Sequence, residues 1–243
     1  MRLRYRVVDV FSDRPLAGNA LCVVLDDCPP ERMQSIAREM NLSETTFPVR
    51  TAEDAYSMRI FTPAAELPFA GHPSIGTAWV LGTGRWTQTT AGATVTIDAD
   101  AAGAHMTQPD PTFREVPGGW IAEAAGNRFF IQPLEDPLDG LTSSALVGSD
   151  DAFLWAGLRV VDDRTLEVRA FVVGASPFED PGTGSLAGPA ALLARRLWGT
   201  AADVVIHQGD HIGRPCRIAV HAEEGALRVG GPVTACAEGV ITL

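Results

Sequence analysis

Positive charge is scarce in this 243-residue sequence, and so are the patterns that mark cofactor sites. The formal net charge is −11 and no basic run interrupts it, which argues against a nucleic-acid-binding surface. No G-x-G-x-x-G turn follows a strand into a helix and no P-loop is present, so nucleotide cofactors have no anchor. No apolar run reaches the roughly 20 residues that cross a bilayer. We therefore expect no nucleic-acid partner, no membrane partner and no cofactor.

Two further absences bear on the compartment and on redox or zinc chemistry. The N-terminus, MRLRYRVVDVF, alternates polar and apolar residues and lacks the continuous apolar core of a signal peptide, so we expect a cytoplasmic protein. Cysteine occurs only four times and never with C-x-x-C spacing, which indicates neither a zinc knuckle nor a redox pair. We expect free, mostly buried thiols at Cys22, Cys28, Cys216 and Cys236.

The most informative stretch that is present is Glu66–Gly82, with the sequence ELPFAGHPSIGTAWVLG. Pro73 suits a first helical residue, because proline has no N–H to lose there. No polar stripe interrupts Ile75–Leu81, and a helix that is apolar all round must be buried all round. We predict a helix through the middle of a domain, with His72 and the helix N-terminus facing a cavity.

A similar stretch recurs at Phe178–Leu197, FEDPGTGSLAGPAALLARRL. Both stretches pass from a turn with proline and glycine into a helix of small apolar residues, which indicates an internal duplication. Each helix N-terminus offers backbone N–H groups and the positive end of a dipole. Two such ends facing one another would suit a carboxylate. Two core helices with ordinary turns are the alternative.

The rest of the chain has mainly the pattern of strands. Glu31–Met40 has helical spacing, and three prolines and two glycines in residues 109–119 favour a linker. We therefore place a boundary near residue 115, between domains 1–115 and 116–243, and predict an α+β class in which each half is mostly strand with one buried helix. The predicted strands are 4–10, 20–25, one within 41–50, 56–62, 94–98, 104–108, 128–132, 152–161, 167–173, 203–208, 216–221, 227–229 and 233–243.

Three residues suit proton transfer or charge binding. Glu44 lies in NLSETTF, where apolar neighbours would raise the pKa of its carboxyl; a surface turn glutamate is the alternative. His72 suits a proton relay or an orienting donor, or only a hydrogen bond to its turn. Asp180, just before the second helix, suits a substrate ammonium, or it caps that helix.

A metal site is not favoured. His207 and His211 have the four-residue spacing of ligands on a helix, but Gly209 and the strand-like Asp203–Gln208 argue against a helix there. The turn at residues 213–215 suits a charged contact near the site, or is a plain turn.

Five segments together resemble the phenazine-biosynthesis PhzF family: RPLAGN, MQSIAREMNLSETTF, RIFTPAAELPFAGHPSIGTA, EDPGTGSLAGP and QGDHIGRPCRI. They begin at Arg14 and follow one another in chain order. The family resembles diaminopimelate epimerase in fold, so the resemblance implies two similar domains, each a β-barrel around a central helix, with the site between them. It also implies a homodimer that acts on a small-molecule carboxylate without metal or organic cofactor.

The resemblance implies the residues of the site as well. The catalytic residues would be Glu44 as acid and base, His72, and Asp180, which binds the substrate. Further contacts to the substrate would come from the motifs around these three: Asn19, Ser43, Gly71, Thr183, Gly184 and Ser185. Among these, Gly71, Gly184 and Ser185 match the segments that bind the substrate carboxylate.

The expected activity is the isomerisation of trans-2,3-dihydro-3-hydroxyanthranilate or a close analogue by proton shuttling. Pro181-Gly182 stands where phenazine-pathway members carry two alanines, and residues 117–148 form a shorter region than theirs. The resemblance therefore does not identify the exact substrate. One alternative is epimerisation at an α-carbon by Glu44 with a second acid such as Asp180. Another is a non-catalytic binding protein that kept the pocket. None of the cysteines lies in either helix-entry turn, so a two-thiol racemase is not expected.

Overall fold

The computed structural model describes residues 1–142, 152, 154–173 and 177–243. The α-helices are α1 (Pro30–Met40), α2 (Gly71–Leu81) and α3 (Gly184–Trp198), and short 3₁₀ turns cover Leu138–Gly140 and Asp210–Ile212. The strands are β1 (Arg2–Val10), β2 (Asn19–Val24), β3 (Glu44–Ala52), β4 (Ala55–Phe61), β5 (Glu66–Leu67), β6 (Gly84–Thr89), β7 (Thr94–Ala99), β8 (Gly103–Thr107), β9 (Thr112–Val116), β10 (Gly119–Ala124), β11 (Asn127–Pro133), β12 (Leu154–Val160), β13 (Thr165–Val172), β14 (Phe178–Asp180), β15 (Asp203–Gln208), β16 (Cys216–His221) and β17 (Arg228–Thr242).

The chain forms two compact units. The first contains Met1–Met106 and Gly230–Leu243, and the second contains Thr107–Val229. This division differs from the predicted boundary near residue 115, and it returns the C-terminal segment to the first unit. The reason is a long antiparallel pairing of β17 with β1, which runs from Arg2 opposite Thr242 to Val10 opposite Val233.

In the first unit, eight strands close into a ring. The order is β1, β2, β3, β4, β6, β7, β8 and β17, and β17 pairs with β1 again. The β2–β3 and β4–β6 pairs are parallel, because α1 and α2 provide the crossovers between them. Closure leaves the ring without a free sheet edge.

Helix α2 occupies the core of this ring. All residues from Gly71 to Ala78 are buried, as expected for a helix without a polar face. The helix packs against β1, β2, β3 and β7. At Gly76 a Cβ would come within 2.7 Å of side-chain atoms of both Leu21 and Val10, so a larger residue would require these side chains to shift away from the helix.

The second unit repeats this plan around α3. Strands β11 and β12 are parallel, β12 and β13 antiparallel, and β13 and β15 parallel, as for β2, β3, β4 and β6. The short strand before each central helix, β5 or β14, pairs with the strand before it. Helix α3 is buried from Gly184 to Ala194. The predicted α+β class with two similar domains around central helices is therefore confirmed.

The structure differs from the sequence-based prediction in detail. Helix α2 begins at Gly71, so Pro73 lies inside the first turn, where its missing N–H still costs no helical hydrogen bond. Strands β5, β6, β9, β10 and β14 were not predicted, and β9 lies within the expected linker. The two predicted C-terminal strands form one strand, β17. Phe153, within the predicted strand 152–161, lies outside the described residues.

Across the described ranges, no helix has the length and hydrophobicity needed to cross a membrane.

Candidate active site

Three predicted residues of the first unit meet at the N-terminus of α2. The Nε2 atom of His72 lies 3.1 Å from Oε2 of Glu44, and the Nδ2 group of Asn19 donates to His72 Nδ1 over 3.2 Å. Asn19 and His72 are buried, and the Glu44 side chain is only 14% exposed. The two atoms are close, but their geometry is not that of a hydrogen bond.

The fold brings these three residues together through neighbouring elements. Asn19 is the first residue of β2 and Glu44 is the first residue of β3, and these two strands run parallel with Leu21 opposite Glu44. His72 is the second residue of α2, which packs against both strands. Two strand starts and one helix start therefore meet at one end of the ring.

Burial determines the protonation state of His72. Loss of hydration lowers the pKa of His72 to about 3, so the ring is neutral at neutral pH. An amide nitrogen can only donate, so Nδ1 is the acceptor and the single ring proton resides on Nε2. The assignment follows from the amide orientation of Asn19. The protonated nitrogen, Nε2, is therefore the one that lies 3.1 Å from Glu44 Oε2.

A buried polar chain holds the first turn of α2. The Tyr56 hydroxyl donates to Gln88 Oε1, Gln88 Nε2 donates to Ser74 Oγ, and Ser74 Oγ donates to the Ala70 carbonyl, each over 2.8 Å. Ala70 is the N-cap residue of α2, directly before Gly71 and His72. This series of hydrogen bonds therefore fixes the backbone that carries His72.

In the second unit, Asp180 and Thr183 lie together before α3. Thr183 Oγ1 donates to Asp180 Oδ2 in a short hydrogen bond of 2.5 Å, and Thr183 is the N-cap residue of α3. Gln208, at the end of β15, donates to the Asp180 carbonyl and to Thr183 Oγ1, each over 2.9 Å. The loop that the sequence assigned to ligand binding is thus tied to a strand by buried hydrogen bonds.

The start of α3 supplies backbone donors. Gly184 and Ser185 are buried first-turn residues, and a helix leaves its first four N–H groups without internal partners. Gln108 Nε2 donates to the Gly184 carbonyl over 2.9 Å and so fixes the peptide that carries the Ser185 N–H. The arrangement suits an anion at this helix end.

A buried ion pair anchors the strand that ends at Asp180. Arg169 of β13 meets both carboxylate oxygens of Glu179 on β14, at 3.0 and 2.6 Å. Both side chains are at most 10% exposed. Arg169 also donates to the Leu138 carbonyl over 2.8 Å. A bidentate pair of this kind holds β14, and with it Asp180, in a defined position.

Comparison with known proteins identifies the family. A family model described as "Phenazine biosynthesis-like protein" (PhzC-PhzF) matches residues 8–115. A trans-2,3-dihydro-3-hydroxyanthranilate isomerase of Pseudomonas aeruginosa is 37% identical, covering 97% of this chain and 98% of its own. The corresponding isomerase of Pseudomonas fluorescens is 34% identical, covering 98% and 99%. The chain belongs to the PhzF family.

A solved structure supports the same conclusion. A predicted epimerase from Pseudomonas aeruginosa is 30% identical, covers 99% of both chains and has a TM-score of 0.81. The PhzF resemblance drawn from the sequence motifs is confirmed, and so is the fold class of two barrels of the diaminopimelate epimerase type. The protein is an isomerase of the PhzF family.

The remaining candidate residues play no part in these networks. Ser43 precedes β3 and is partly buried. His207 lies on β15 as predicted, whereas His211 lies in a 3₁₀ turn, 3.4 Å from Glu167. Within the described ranges, no three residues with metal-binding side chains gather into a cluster.

Two cysteines of this PhzF protein, Cys22 and Cys216, are buried thiols that do not ionise near neutral pH. All four are free. Burial raises the pKa of Cys22 to about 12 and raises the pKa of Cys216 further, so both thiols stay protonated at neutral pH. Cys22 lies on β2 and Cys216 on β16, so neither stands at the start of a central helix.

Sequence reasoning missed the buried glutamines Gln88, Gln108 and Gln208, which are at most 5% exposed. Each holds the first turn of a central helix or the residues beside it. Gln88 and Gln208 lie near the ends of β6 and β15, the matching strands of the two units. Gln208, at the end of the predicted strand 203–208, had a position in the sequence that could have drawn attention to it.

Proposed function

We propose that this PhzF protein isomerises trans-2,3-dihydro-3-hydroxyanthranilate or a close analogue, with Glu44 as base and then acid. The observation that carries the proposal is the Glu44 carboxylate 3.1 Å from a buried neutral His72 at the start of α2. The full-length similarity to two isomerases of this substrate supports the choice of substrate. A small carboxylate with an amino group is thus the partner of the site.

The reaction needs one group that carries a proton between two carbons. In the proposed step Glu44 takes a proton from one ring carbon, the electron pair of that C–H bond shifts the double bonds, and the same carboxyl returns a proton to another carbon. No oxidant or hydride acceptor is required, because the product is an isomer. A carboxyl group with few water neighbours suits this exchange.

In this scheme His72 is not the base, and it would act as an orienting donor once its Nε2–H is aligned with the Glu44 carboxylate. Its pKa of about 3 leaves it neutral, and the Asn19 contact puts its one proton on Nε2, facing Glu44. A neutral N–H beside a carboxylate stabilises the charged form without adding a second titrating group near neutral pH.

The second unit supplies the proposed contacts to the substrate. Asp180 would bind the amino group, and the first-turn N–H groups of α3 at Gly184 and Ser185 would bind the carboxylate, with Gly71 as a further backbone contact. A helix N-terminus favours an anion by about 0.3–1 kcal/mol. An ammonium that leaves water needs its own counter-charge.

Turnover of trans-2,3-dihydro-3-hydroxyanthranilate in deuterated water tests the proposal. We expect a change in the ultraviolet spectrum as the double bonds move, and any solvent-derived deuterium at a new ring carbon. Glu44→Gln is the matched control and should give neither change. No turnover of this substrate or of ring analogues by the folded wild-type protein would contradict the proposal.

Epimerisation is the second candidate, since the 30% identical solved structure is described as a predicted epimerase. Glu44 and a second acid such as Asp180 would then exchange the proton of an α-carbon. The same experiment separates the two reactions. An epimerase would invert the circular dichroism signal and label the original α-carbon, with no new chromophore.

Two further expectations stay predictions, the homodimer and the cytoplasmic location.

A further inference from the structure

Gln208 and Gly209 form a support beneath the loop that carries Asp180. Gln208 is 2% exposed, and its amide makes three hydrogen bonds to this loop. Nε2 donates to the Asp180 carbonyl and to Thr183 Oγ1 over 2.9 Å each, and Oε1 accepts from the Thr183 N–H over 3.2 Å. One buried side chain therefore contacts both ends of the Asp180–Thr183 segment.

The direction of these hydrogen bonds has a consequence for Asp180. Because Thr183 Oγ1 accepts from Gln208 Nε2, its own proton is directed elsewhere, and the Asp180 Oδ2 atom is 2.5 Å away. The hydroxyl therefore donates to the carboxylate. This hydrogen bond holds one of the two carboxylate oxygens in place, so the rotation of the carboxylate about its side-chain bond is fixed.

Gly209 allows this support to lie directly against the loop. It has φ +78°, a left-handed conformation that glycine adopts without strain. A Cβ at this position would clash with the carbonyl oxygens of both Pro181 and Arg214. The QGDHIGRP motif of the sequence thus has a structural role that its residue types alone do not reveal.

We propose that Gln208 is a positioning residue for binding of the substrate amino group. Acting through the Thr183 hydroxyl, it sets the rotation of the Asp180 carboxylate that receives the ammonium. Thr183 then serves the site through Asp180 and not through the substrate. The inference rests on the proposed role of Asp180 as the ammonium partner.

The first unit contains a natural control. Gln88 lies near the end of β6, the counterpart of β15, and is also buried. Its amide donates to Ser74 Oγ, and that hydroxyl bonds to a carbonyl and not to an acid. Loss of Gln88 removes a buried amide of the same kind without touching a carboxylate.

The test is a set of calorimetric titrations with two ligands, 2-aminocyclohexanecarboxylate and cyclohexanecarboxylate. The first carries an ammonium beside its carboxylate and the second lacks it. The variants are Asp180→Ala, Gln208→Met, Thr183→Val, Thr183→Ser and Gln88→Met, each checked by circular dichroism and thermal unfolding. The readout is the ratio of the two dissociation constants, which a general loss of stability does not move.

We expect Asp180→Ala to weaken the amino ligand by about tenfold or more, with little change for the other ligand. In Gln208→Met and Thr183→Val, the preference for the amino ligand, measured as the ratio of the two dissociation constants, should fall by about three- to tenfold. The reason is that the Asp180 carboxylate is present but no longer held in one rotation. Thr183→Ser should retain the preference, since it keeps the hydroxyl, and Gln88→Met should leave the ratio at the wild-type value. If Gln208→Met does not fold, the comparison of Thr183→Val with Thr183→Ser tests whether the Thr183 hydroxyl positions the Asp180 carboxylate.

The failures are distinguishable. A selective loss in Asp180→Ala with a wild-type ratio in Gln208→Met and Thr183→Val would overturn the positioning role and leave the proposed function intact. Equal behaviour of Thr183→Ser and Thr183→Val, or an equal effect of Gln88→Met, would overturn it as well. No selective loss in Asp180→Ala would remove the ammonium role of Asp180, and the positioning role with it.

Discussion

His72 Nε2 and Glu44 Oε2 lie 3.1 Å apart, and the histidine of this pair is neutral. A charged imidazole would lose most of its hydration here, and burial therefore lowers the pKa of the ring. In the proposed mechanism, the two residues therefore have different roles. Glu44 would exchange a proton with the substrate, and His72, being neutral, would not compete for that proton.

Glu44→Gln should lower kcat by about 10²–10⁴-fold, the usual contribution of a general acid–base group. The exchange keeps the size of the side chain and removes its ability to carry a proton. Steady-state kinetics with trans-2,3-dihydro-3-hydroxyanthranilate measure the effect, and the free energy of unfolding should change by no more than about 1 kcal/mol. Glu39→Gln, an identical change at an exposed position of α1, is the control and should keep full activity. A mutant with more than about a tenth of the wild-type rate would refute the role of Glu44.

His72 should make the protein less stable as the pH falls below about 6.5. The unfolded chain binds a proton at this residue below pH 6.5, but the folded chain does so only near its pKa of about 3. Since the unfolded state takes up more protons in this window, acid favours it. Lowering the pH from 8 to 5 should cost about 2 kcal/mol through this one group.

The measurement is urea unfolding of the wild type and of His72→Gln at both pH values. The variant should lack this part of the pH dependence, whatever its absolute stability. His221→Gln is the control of opposite sign. Asp203 raises the pKa of the exposed His221, so that residue stabilises the fold on the acid side and loses this effect as the pH rises. Identical pH dependence in the wild type and His72→Gln would show that His72 is not held neutral by the fold.

Asn19→Asp should raise the pKa of His72 by about one to three pH units, because it places a negative charge beside Nδ1. A carboxylate there also calls for an N–H on Nδ1, which moves the proton away from the nitrogen that faces Glu44. Histidine chemical shifts followed by NMR against pH report the pKa, and kcat should fall in parallel. Asn41→Asp, at the exposed end of α1, should change neither. An unchanged titration of His72 in Asn19→Asp would contradict the contact between residue 19 and the histidine ring.

Elements with a clear local pattern could be predicted from the sequence. The two central helices follow from their lack of a polar face, and β15 and β16 have the predicted bounds. Strand β6 was missed because only Trp86 and Gln88 of its residues are buried, and an inward-facing glutamine conceals the alternation. The return of the C-terminus to the first unit depends on the pairing of β17 with β1. Such long-range pairing leaves no local signal in the sequence.

The candidate site also contains features that the sequence could predict and features that it could not. Glu44, His72 and Asp180 could be named from motif resemblance. The apolar sequence around Glu44 says only that a carboxyl lies near a core. That Asn19 contacts the histidine ring, and that Gln208 supports Asp180 through Thr183, could not be predicted, because both contacts join residues more than 20 positions apart. A buried glutamine and a surface glutamine look alike in a single sequence.

Gly209→Ala should destabilise the protein much more than Gly213→Ala. Both glycines have left-handed backbones, with φ of +78° and +71°, and they lie at the two ends of one short turn. A left-handed alanine costs about 1–2 kcal/mol wherever it occurs. At Gly213 no atom lies within 4 Å of the added Cβ, whereas at Gly209 the methyl group meets the carbonyl oxygens of Pro181 and Arg214.

The difference between the two variants therefore isolates the close approach of this turn to the Asp180 loop. We expect a loss of about 1–2 kcal/mol for Gly213→Ala and of more than about 3 kcal/mol for Gly209→Ala, since backbone atoms cannot move aside as a flexible side chain does. Urea unfolding of both variants with the wild type measures these losses. Activity should follow the same order, because a shifted Pro181 displaces the neighbouring Asp180, and KM should rise in Gly209→Ala while Gly213→Ala stays close to the wild type. Equal losses of stability in the two variants would mean that the turn does not press against the Asp180 loop, and the support assigned to Gln208 and Gly209 would lose its structural basis.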